Sequence, residues 1–429
     1  MPHDDAARAI EAVWRIEAPR LIAGLVRFVR DVGRAEDLAQ DSLVAALEKW
    51  PASGVPDNPG AWLMATAKNR AIDEHRRRAL AERKHAELGK EAAATAEIGD
   101  AEAGLVASID DDIGDDLLRL VFTACHPVLP TEGRVALTLR LLGGLTTDEI
   151  ARGFLVPEAT VAQRIVRAKR TLAEAKVPFE VPRGAGRKER LASVLEVIYL
   201  IFNEGYLATA GEHLVRPALC EDALRLGRVL AGLAPEEAEV QGLVALMELQ
   251  ASRLPARTAP SGEPILLADQ DRGRWDRLLV ERGLAALARA ERLGGPRGPY
   301  ALQAAIAACH ARARTAPETD WARIAALYGE LARAMPSPVV ELNRAVAVGM
   351  AEGPEAGLAA ADALAHDAAL AGYHRLPSVR ADFLFKLGRF GEASEEFARA
   401  AAQATNVREQ ALLKRRAEEA SRAAKPVRD

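Results

Sequence analysis

The sequence predicts an all-helical protein of several domains, and three observations carry that prediction. Alanine and leucine dominate a chain of 429 residues in which 49% are hydrophobic and only 4% aromatic. β-Branched runs are few, so helix is favoured along most of the chain. The 32 glycines and 23 prolines fall mostly between the periodic segments, where they act as punctuation. A chain of this length divides into roughly two to four domains.

The first domain is expected over residues 8–86. A helix spans Ala9 to Arg30, with Ile10, Val13, Trp14, Leu21, Leu25 and Phe28 on its apolar side. A second spans Arg34 to Lys49, with Leu38, Leu43, Val44 and Leu47. The loop PASGVPDNPG stops both neighbours, and a third helix begins near Ala61 and runs to Arg78 or beyond. Residues 87–116 read as an acidic linker, with ten carboxylates against Lys90 alone. Such a solvated connector stays away from a phosphate backbone.

A compact unit follows over residues 117–180. Leu117, Leu118, Leu120, Val121 and Phe122 open it, and Val135, Leu137, Leu139 and Leu142 mark its second helix. The basic segment VPRGAGRKER at 181–190 reads as a hinge. From 191 to 429 helix follows helix, interrupted by APSGEPILLADQDRGRW at 259–275. Near the end, FLFKLGRFGEASEEFARA has a helix stop at Leu387–Gly388 and a restart carrying Ala393, Phe397 and Ala400. This resembles half of a tetratricopeptide repeat, with a looser echo at 339–365. Stacked helical hairpins and an irregular helical bundle are the two readings of this region.

The most informative stretch is LTTDEIARGFLVPEATVAQRIVRAKRT, from Leu145 to Thr171. A short helix, a tight break and a longer basic helix form a helix-turn-helix pattern. Thr147 is the expected cap of the first helix, and Pro157 suits the first turn of the second. Val161, Ile165 and Leu172 face inward at helical spacing, leaving the polar residues outside. Thr160, Gln163 and Arg164 suit base edges, since glutamine pairs with adenine and arginine with guanine. Arg167, Lys169 and Arg170 suit phosphates. Between Glu158 and Lys176 five basic residues stand against two acids. The plainer alternative is a surface hairpin with one charged face. From Lys68 to Lys84 seven basic residues stand against three acids, beside Trp50 and Trp62. Trp62 either stacks an unpaired base or packs in a small core; Trp14 reads as core.

AEDLAQDSLVAALEKW (35–50) followed by NPGAWLMATAKNRAIDEHRRR (58–78) resembles region 2 of the extracytoplasmic-function sigma factors of bacterial RNA polymerase. LTLRLLGGLTTDEIARGFLVPEATVAQRIVRAKRTL (137–172) resembles their region 4. The tail beginning LEVIYLIFNEGY resembles a large-tail subgroup with a helical, repeat-like extension. The resemblance implies a protein that binds core polymerase at the largest-subunit clamp and the flap. It also implies that the protein recognises the −35 and −10 promoter elements and helps to melt DNA. It places Glu36, Asp37, Leu38, Gln40 and Asp41 at the clamp. It places Asn58, Trp62, Lys68, Asn69, Arg70 and Asp73 at the −10 element, with Arg76, Arg77 and Arg78 on backbone phosphate. Thr160, Gln163, Arg164, Arg167, Lys169 and Arg170 fall at the −35 element. The extension departs from the commoner pattern of a separate membrane-bound inhibitor. It is therefore expected to regulate in cis, through a protein or ligand of its own, so that truncation after Val181 changes transcription.

Other classes find less support. Cys125, Cys220 and Cys309 are too dispersed for a disulfide framework or a paired metal site. There is no phosphate-binding glycine loop, and Cys125–His126 are adjacent residues whose side chains diverge. No enzyme activity, metal or cofactor is expected. Asn203, Glu204 and Tyr206 either satisfy one another or line a small pocket. The start, MPHDDAARAIEAV, has no apolar core of a signal peptide, and no apolar run is long enough to span a bilayer. A cytoplasmic protein without membrane insertion is expected. The competing functional readings are a helix-turn-helix regulator with a ligand-sensing tail and a structural repeat scaffold.

Overall fold

The computed structural model describes residues 3–86, 113–207, 215–260, 263–295 and 297–425. Among them the regular structure is helical, with no strand and one isolated bridge between Thr258 and Pro264. The chain forms two compact units, Met1–Ile198 and Tyr199–Asp429.

Unit 1 begins with α1 (His3–Val29), α2 (Val32–Ser53) and α3 (Pro59–Ala86). Asp31 caps α2 by accepting from the Arg34 N–H at 2.7 Å, and Asn58 caps α3 through the Ala61 N–H at 3.0 Å. Ile10, Trp14, Leu21 and Leu25 of α1 are buried as expected. The buried stripe of α2 differs from expectation. It runs through Ala35, Leu38, Ala39, Ser42, Ala45, Ala46 and Trp50, while Val44 and Leu47 are about half exposed. Small alanines let α2 lie close to α1 and α3, and the larger aliphatics are turned outward.

Next come α4 (Ile113–Ala124), α5 (Thr131–Leu141), α6 (Thr147–Phe154), α7 (Glu158–Glu174) and α8 (Gly184–Tyr206). Most of the acidic linker lies outside the described residues, and its last four residues form the first turn of α4. The expected hinge is corrected: residues 184–190 are helical. Gly184 enters with φ +59°, and the following Ala, Arg, Lys and Glu residues are good helix formers. Ser193 of this helix donates to the Cys125 carbonyl at 2.7 Å, and Arg134 reaches both Ser193 and Glu196. Unit 1 therefore extends past the point where the sequence pattern seemed to end it.

Unit 2 continues with α9 (Pro217–Leu233), α10 (Ala238–Ala251), α11 (Arg277–Arg292), α12 (Pro299–Arg312) and α13 (Trp321–Ala334). Leu246, Leu249, Leu287, Leu302, Ile324 and Leu327 form their shared core. Three short 3-10 turns, Leu254–Ala256, Leu267–Asp269 and Arg272–Arg274, occupy the break between α10 and α11. The chain then runs through α14 (Pro338–Glu352), α15 (Pro354–Asp362), α16 (Arg375–Lys386), α17 (Phe390–Gln403) and α18 (Val407–Ala423). The expected turn after α16 is present, with Gly388 at φ +74° closing the helix. Ala393, Phe397 and Ala400 of α17 are fully buried. Gly349 and Gly357 let α14 and α15 approach until Phe383 wedges against both; a Cβ at either glycine would lie 2.4 Å or less from the ring.

Candidate nucleic-acid interface

The helix-turn-helix is α6 and α7. The cap of α6 is Thr146, one residue before the expected Thr147. Its hydroxyl accepts from the Glu149 N–H at 3.1 Å, while Glu149 accepts from the Thr146 N–H at 2.7 Å. This reciprocal box satisfies two end donors at once, which Thr147 is wrongly placed to do. Leu155 adopts a left-handed backbone, φ +51°, and so ends α6 within a tight break. Pro157 then caps α7, where its missing N–H leaves no bond unmade.

One face of α7 is core: Val161, Ile165, Ala168 and Leu172 are buried. Gln163, Arg167 and Arg170 are exposed, and Thr160 and Arg164 are half-buried. Arg170 pairs with Glu174 at 3.5 Å, both side chains being exposed. These side chains can reach a duplex without unfolding anything. Lys169 differs. Its ammonium lies 2.5 Å from Glu36 of α2, and Arg140 of α5 contacts the same carboxylate at 2.6 Å. Glu36 is 4% exposed. Arg15 of α1 likewise meets Glu149 at 2.6 Å. One expected −35 contact and one expected polymerase contact thus hold each other inside unit 1.

The other residues expected at the polymerase divide by exposure. Leu38 is buried in the chain's own core, Gln40 is half-buried, and Asp37 and Asp41 are exposed. Asp37, Asp41, Val44 and Glu48 recur at three- and four-residue spacing on the outer face of α2. Val44 is the exposed aliphatic residue of this face, whereas Leu38, expected there, is buried.

Around the start of α3, Asn58 is exposed and Trp62 half-buried. Trp62 meets Trp50 edge-on at 5.3 Å, with Lys49 over its ring at 5.9 Å. Trp50 is the buried partner, so the pair is anchored from one side and open on the other. A groove of about 560 Å³ runs between α1 and α3, lined by Asn58, Lys68 and Asn69 with Arg20, Met64 and Ile72. Arg70 pairs with Asp41 at 3.4 Å, and Asp73 and Arg76 are exposed. Arg77 and Arg78 continue α3, and their side chains lie outside the described residues. The groove and the basic face of α3 together offer a recess beside cationic donors, which suits an unstacked base and its phosphates.

The Cys125–His126 pair has no catalytic geometry. Burial pushes the Cys125 thiol up to about 11, against a smaller opposing pull from its bond to Thr138, so it stays protonated. Burial and Arg190 push His126 down to about 4, and its Nδ1 accepts from the Val128 N–H at 3.1 Å. Glu204 is paired with Arg216, and Tyr206 stacks on Phe202 at 5.6 Å. The Asn203, Glu204 and Tyr206 group is therefore satisfied mainly by residues outside itself. Among the described residues no cluster of metal-binding side chains occurs, and no helix is long and apolar enough to cross a membrane.

The chain matches the family models for Sigma-70 region 2 over residues 14–80 and Sigma-70, region 4 over residues 119–172. The chain belongs to the extracytoplasmic-function sigma factors. Residues 190–291 match a family of unknown function, DUF6596, within the C-terminal extension. The chain is 44% identical to an uncharacterized protein of Rhizobium meliloti over 397 residues, covering 92% of each chain. It is 28% identical to a probable ECF RNA polymerase sigma factor, SigI of Mycobacterium tuberculosis, over 40% of this chain and 57% of that one. It is also 28% identical to the ECF RNA polymerase sigma factor SigL of the same species, over 39% of this chain and 88% of that one. The extracytoplasmic-function sigma factor described here thus acts in transcription initiation and carries a long helical extension after region 4.

Proposed function

We propose that this sigma factor confers promoter-specific initiation on core RNA polymerase through three surfaces of unit 1. The observation that carries the reading is α7. Val161, Ile165, Ala168 and Leu172 are turned inward, so that Gln163, Arg164, Arg167 and Arg170, with the exposed Val166 among them, stand outside the core on the side a major groove would meet. Thr160, Gln163 and Arg164 read −35 base edges, and Arg167 and Arg170 hold phosphates. Lys169 joins them once its pair with Glu36 opens. At the −10 element, the groove beside Asn58, Lys68 and Asn69 receives an unstacked base. Trp62 supports the separated strand, and Arg70, Asp73 and Arg76 to Arg78 follow its backbone. The outer face of α2, with Asp37, Asp41 and Val44, docks on the basic clamp of the largest subunit, and region 4 docks on the flap.

The protein itself performs no covalent chemistry in this reading; the polymerase makes the RNA. Strand separation costs base stacking, and the cationic face and recess of unit 1 offset that cost. The extension modulates the activity in cis. A cut after Val181 is a poor probe of this, because it removes the Ser193 and Glu196 contacts of unit 1; a cut after Ile198 keeps them.

Run-off transcription on a promoter library with core polymerase tests the proposal. Full-length protein, or protein ended after Ile198, initiates RNA at defined sites that core enzyme alone ignores. Gln163→Ala and Arg164→Ala relax −35 preference. If neither form starts RNA at any defined site, the proposal fails. A helix-turn-helix regulator would bind duplex DNA but leave core polymerase inactive.

A further inference from the structure

Most buried or half-buried arginines of unit 2 are matched to carboxylates. Arg216 pairs with Glu204, Arg225 with Asp222 at 3.2 Å, Arg380 with Asp362 at 3.2 Å, and Arg416 with Asp382 at 2.7 Å. Three arginines at the break between α10 and α11 depart from this rule. Arg253, Arg257 and Arg272 make no ion pair among the described residues. Their bonds go to neutral acceptors. Arg253 donates to Gln250 and Gln270, each at 3.2 Å. Arg257 donates to the Tyr206 carbonyl at 2.7 Å. Arg272 donates to the carbonyls of His310 and Ala313 at 2.6 and 2.8 Å and to Thr319 at 2.8 Å.

The three cations share one neighbourhood. Arg253 and Arg272 lie over the Trp275 ring at 5.5 and 5.2 Å from its centroid, and Arg257 lies 3.6 Å over Tyr206. Trp275 and His310 are 5% and 8% exposed. The Trp275 indole Nε1, the His310 Nδ1 and the Arg272 Nε are buried without a hydrogen-bond partner. Burial first, then Arg253 and Arg272, together push His310 down to about 4. Glu318 acts on Arg272 without forming an ion pair with it, so the site keeps an excess of positive charge, and it holds buried nitrogens that nothing in the described chain uses. Burying like charges together with unused donors is costly unless an anion joins them.

We propose that Arg253, Arg257, Arg272, Trp275 and His310 form a binding site for a small molecule bearing an oxyanion, phosphate or carboxylate. Guanidinium groups match such oxyanions with paired N–H donors. The aromatic faces of Trp275 and Tyr206 are already covered by guanidinium, so recognition is of charge rather than of a flat ring. The donors are too deeply buried for a broad protein surface to reach them, which selects a small ligand. This site is independent of the promoter-binding surfaces, and its test does not rest on them.

Full-length protein is titrated with inorganic phosphate, pyrophosphate or citrate against sodium chloride at matched ionic strength, reading heat by calorimetry and Tm by fluorescence. Saturable binding with Kd below about 1 mM and a rise in Tm are expected. The phosphates and citrate distinguish the two oxyanion types. Arg253→Met and Arg272→Met weaken binding at least about tenfold, a change of about 1.4 kcal/mol. Arg164→Ala with Arg167→Ala leaves it unchanged. If the α7 variant removes binding and the other two do not, the anion occupies the promoter surface and the proposal is overturned. Lack of saturable binding by all three probes overturns it too. Phenylglyoxal labelling of the unmutated chain, mapped by mass spectrometry, avoids dependence on variant folding. The probe that binds should slow modification of Arg253 and Arg272 at least about threefold relative to chloride, and equal rates count against the site.

Discussion

Unit 1 buries a carboxylate and surrounds it with cations, whereas one corner of unit 2 gathers arginines that form no ion pair among the described residues. Glu36 is held by Arg140 and Lys169, and Asp116 is held by Arg27 at 3.3 Å and Arg119 at 2.5 Å. Arg253, Arg257 and Arg272 donate to carbonyl, amide and hydroxyl oxygens, and Glu318 acts on Arg272 without pairing with it. The difference separates two uses of buried charge. Paired charge ties elements of the same unit together, because losing one partner strands the other. Unpaired charge held by neutral acceptors keeps its field available to something outside the chain.

The sharpest way to break this comparison is Glu36→Ala. It strands Arg140 and Lys169, and an unfolding free energy about 3 kcal/mol lower is expected for unit 1 in urea. An unchanged midpoint and slope would mean that the triad ties nothing. An acid titration gives an effect of similar size in unit 2. The folded state holds His310 near 4, below its ordinary value of 6.5, so the unfolded chain takes up the proton first. Stability is therefore full above pH 6.5 and falls as pH drops towards 4, by up to about 3 kcal/mol. His310→Gln should flatten that limb of the stability profile; a limb of unchanged steepness would assign it to other groups.

A smaller effect separates two arginines of the same unit. Arg228→Met strands Glu248, which is 3% exposed, and costs about 2 kcal/mol. Arg253→Met strands no carboxylate, and in buffer free of oxyanions it stays within about 1 kcal/mol of the parent. Equal losses in denaturant unfolding would erase the distinction. The smallest effect concerns DNA. Arg167→Ala should lower the slope of log affinity against log salt by about 1, while Lys169→Ala should change it less, because Lys169 spends part of its time on Glu36. Filter binding at several salt concentrations measures both slopes.

The helix-turn-helix was legible because its signals are local. The inward set Val161, Ile165 and Leu172 follows from helical period alone, and Pro157 and the acidic first turn of α6 mark the ends. Where two neighbours could serve, local pattern failed by one residue. Thr146 rather than Thr147 caps α6, because only Thr146 stands three residues before Glu149. Val44 and Leu47 show a second kind of failure. They are apolar and periodic, but the alanines beside them pack closer, and hydrophobicity alone does not rank a small residue above a large one. The glycines and charge of 181–190 predict a hinge, although the residues from 185 on other than Gly186 favour helix.

Sequence by itself determined that the chain is helical, where its two Sigma-70 regions lie, and which side of α7 packs inward. Those properties depend on neighbours within a turn or two along the chain. Only the tertiary structure decided that Lys169 faces Glu36 and that Leu38 is hidden while Val44 is shown. It alone brought Arg253, Arg257 and Arg272 around Trp275. These are meetings between residues far apart in the chain, and the field at each charge depends on what folding places beside it.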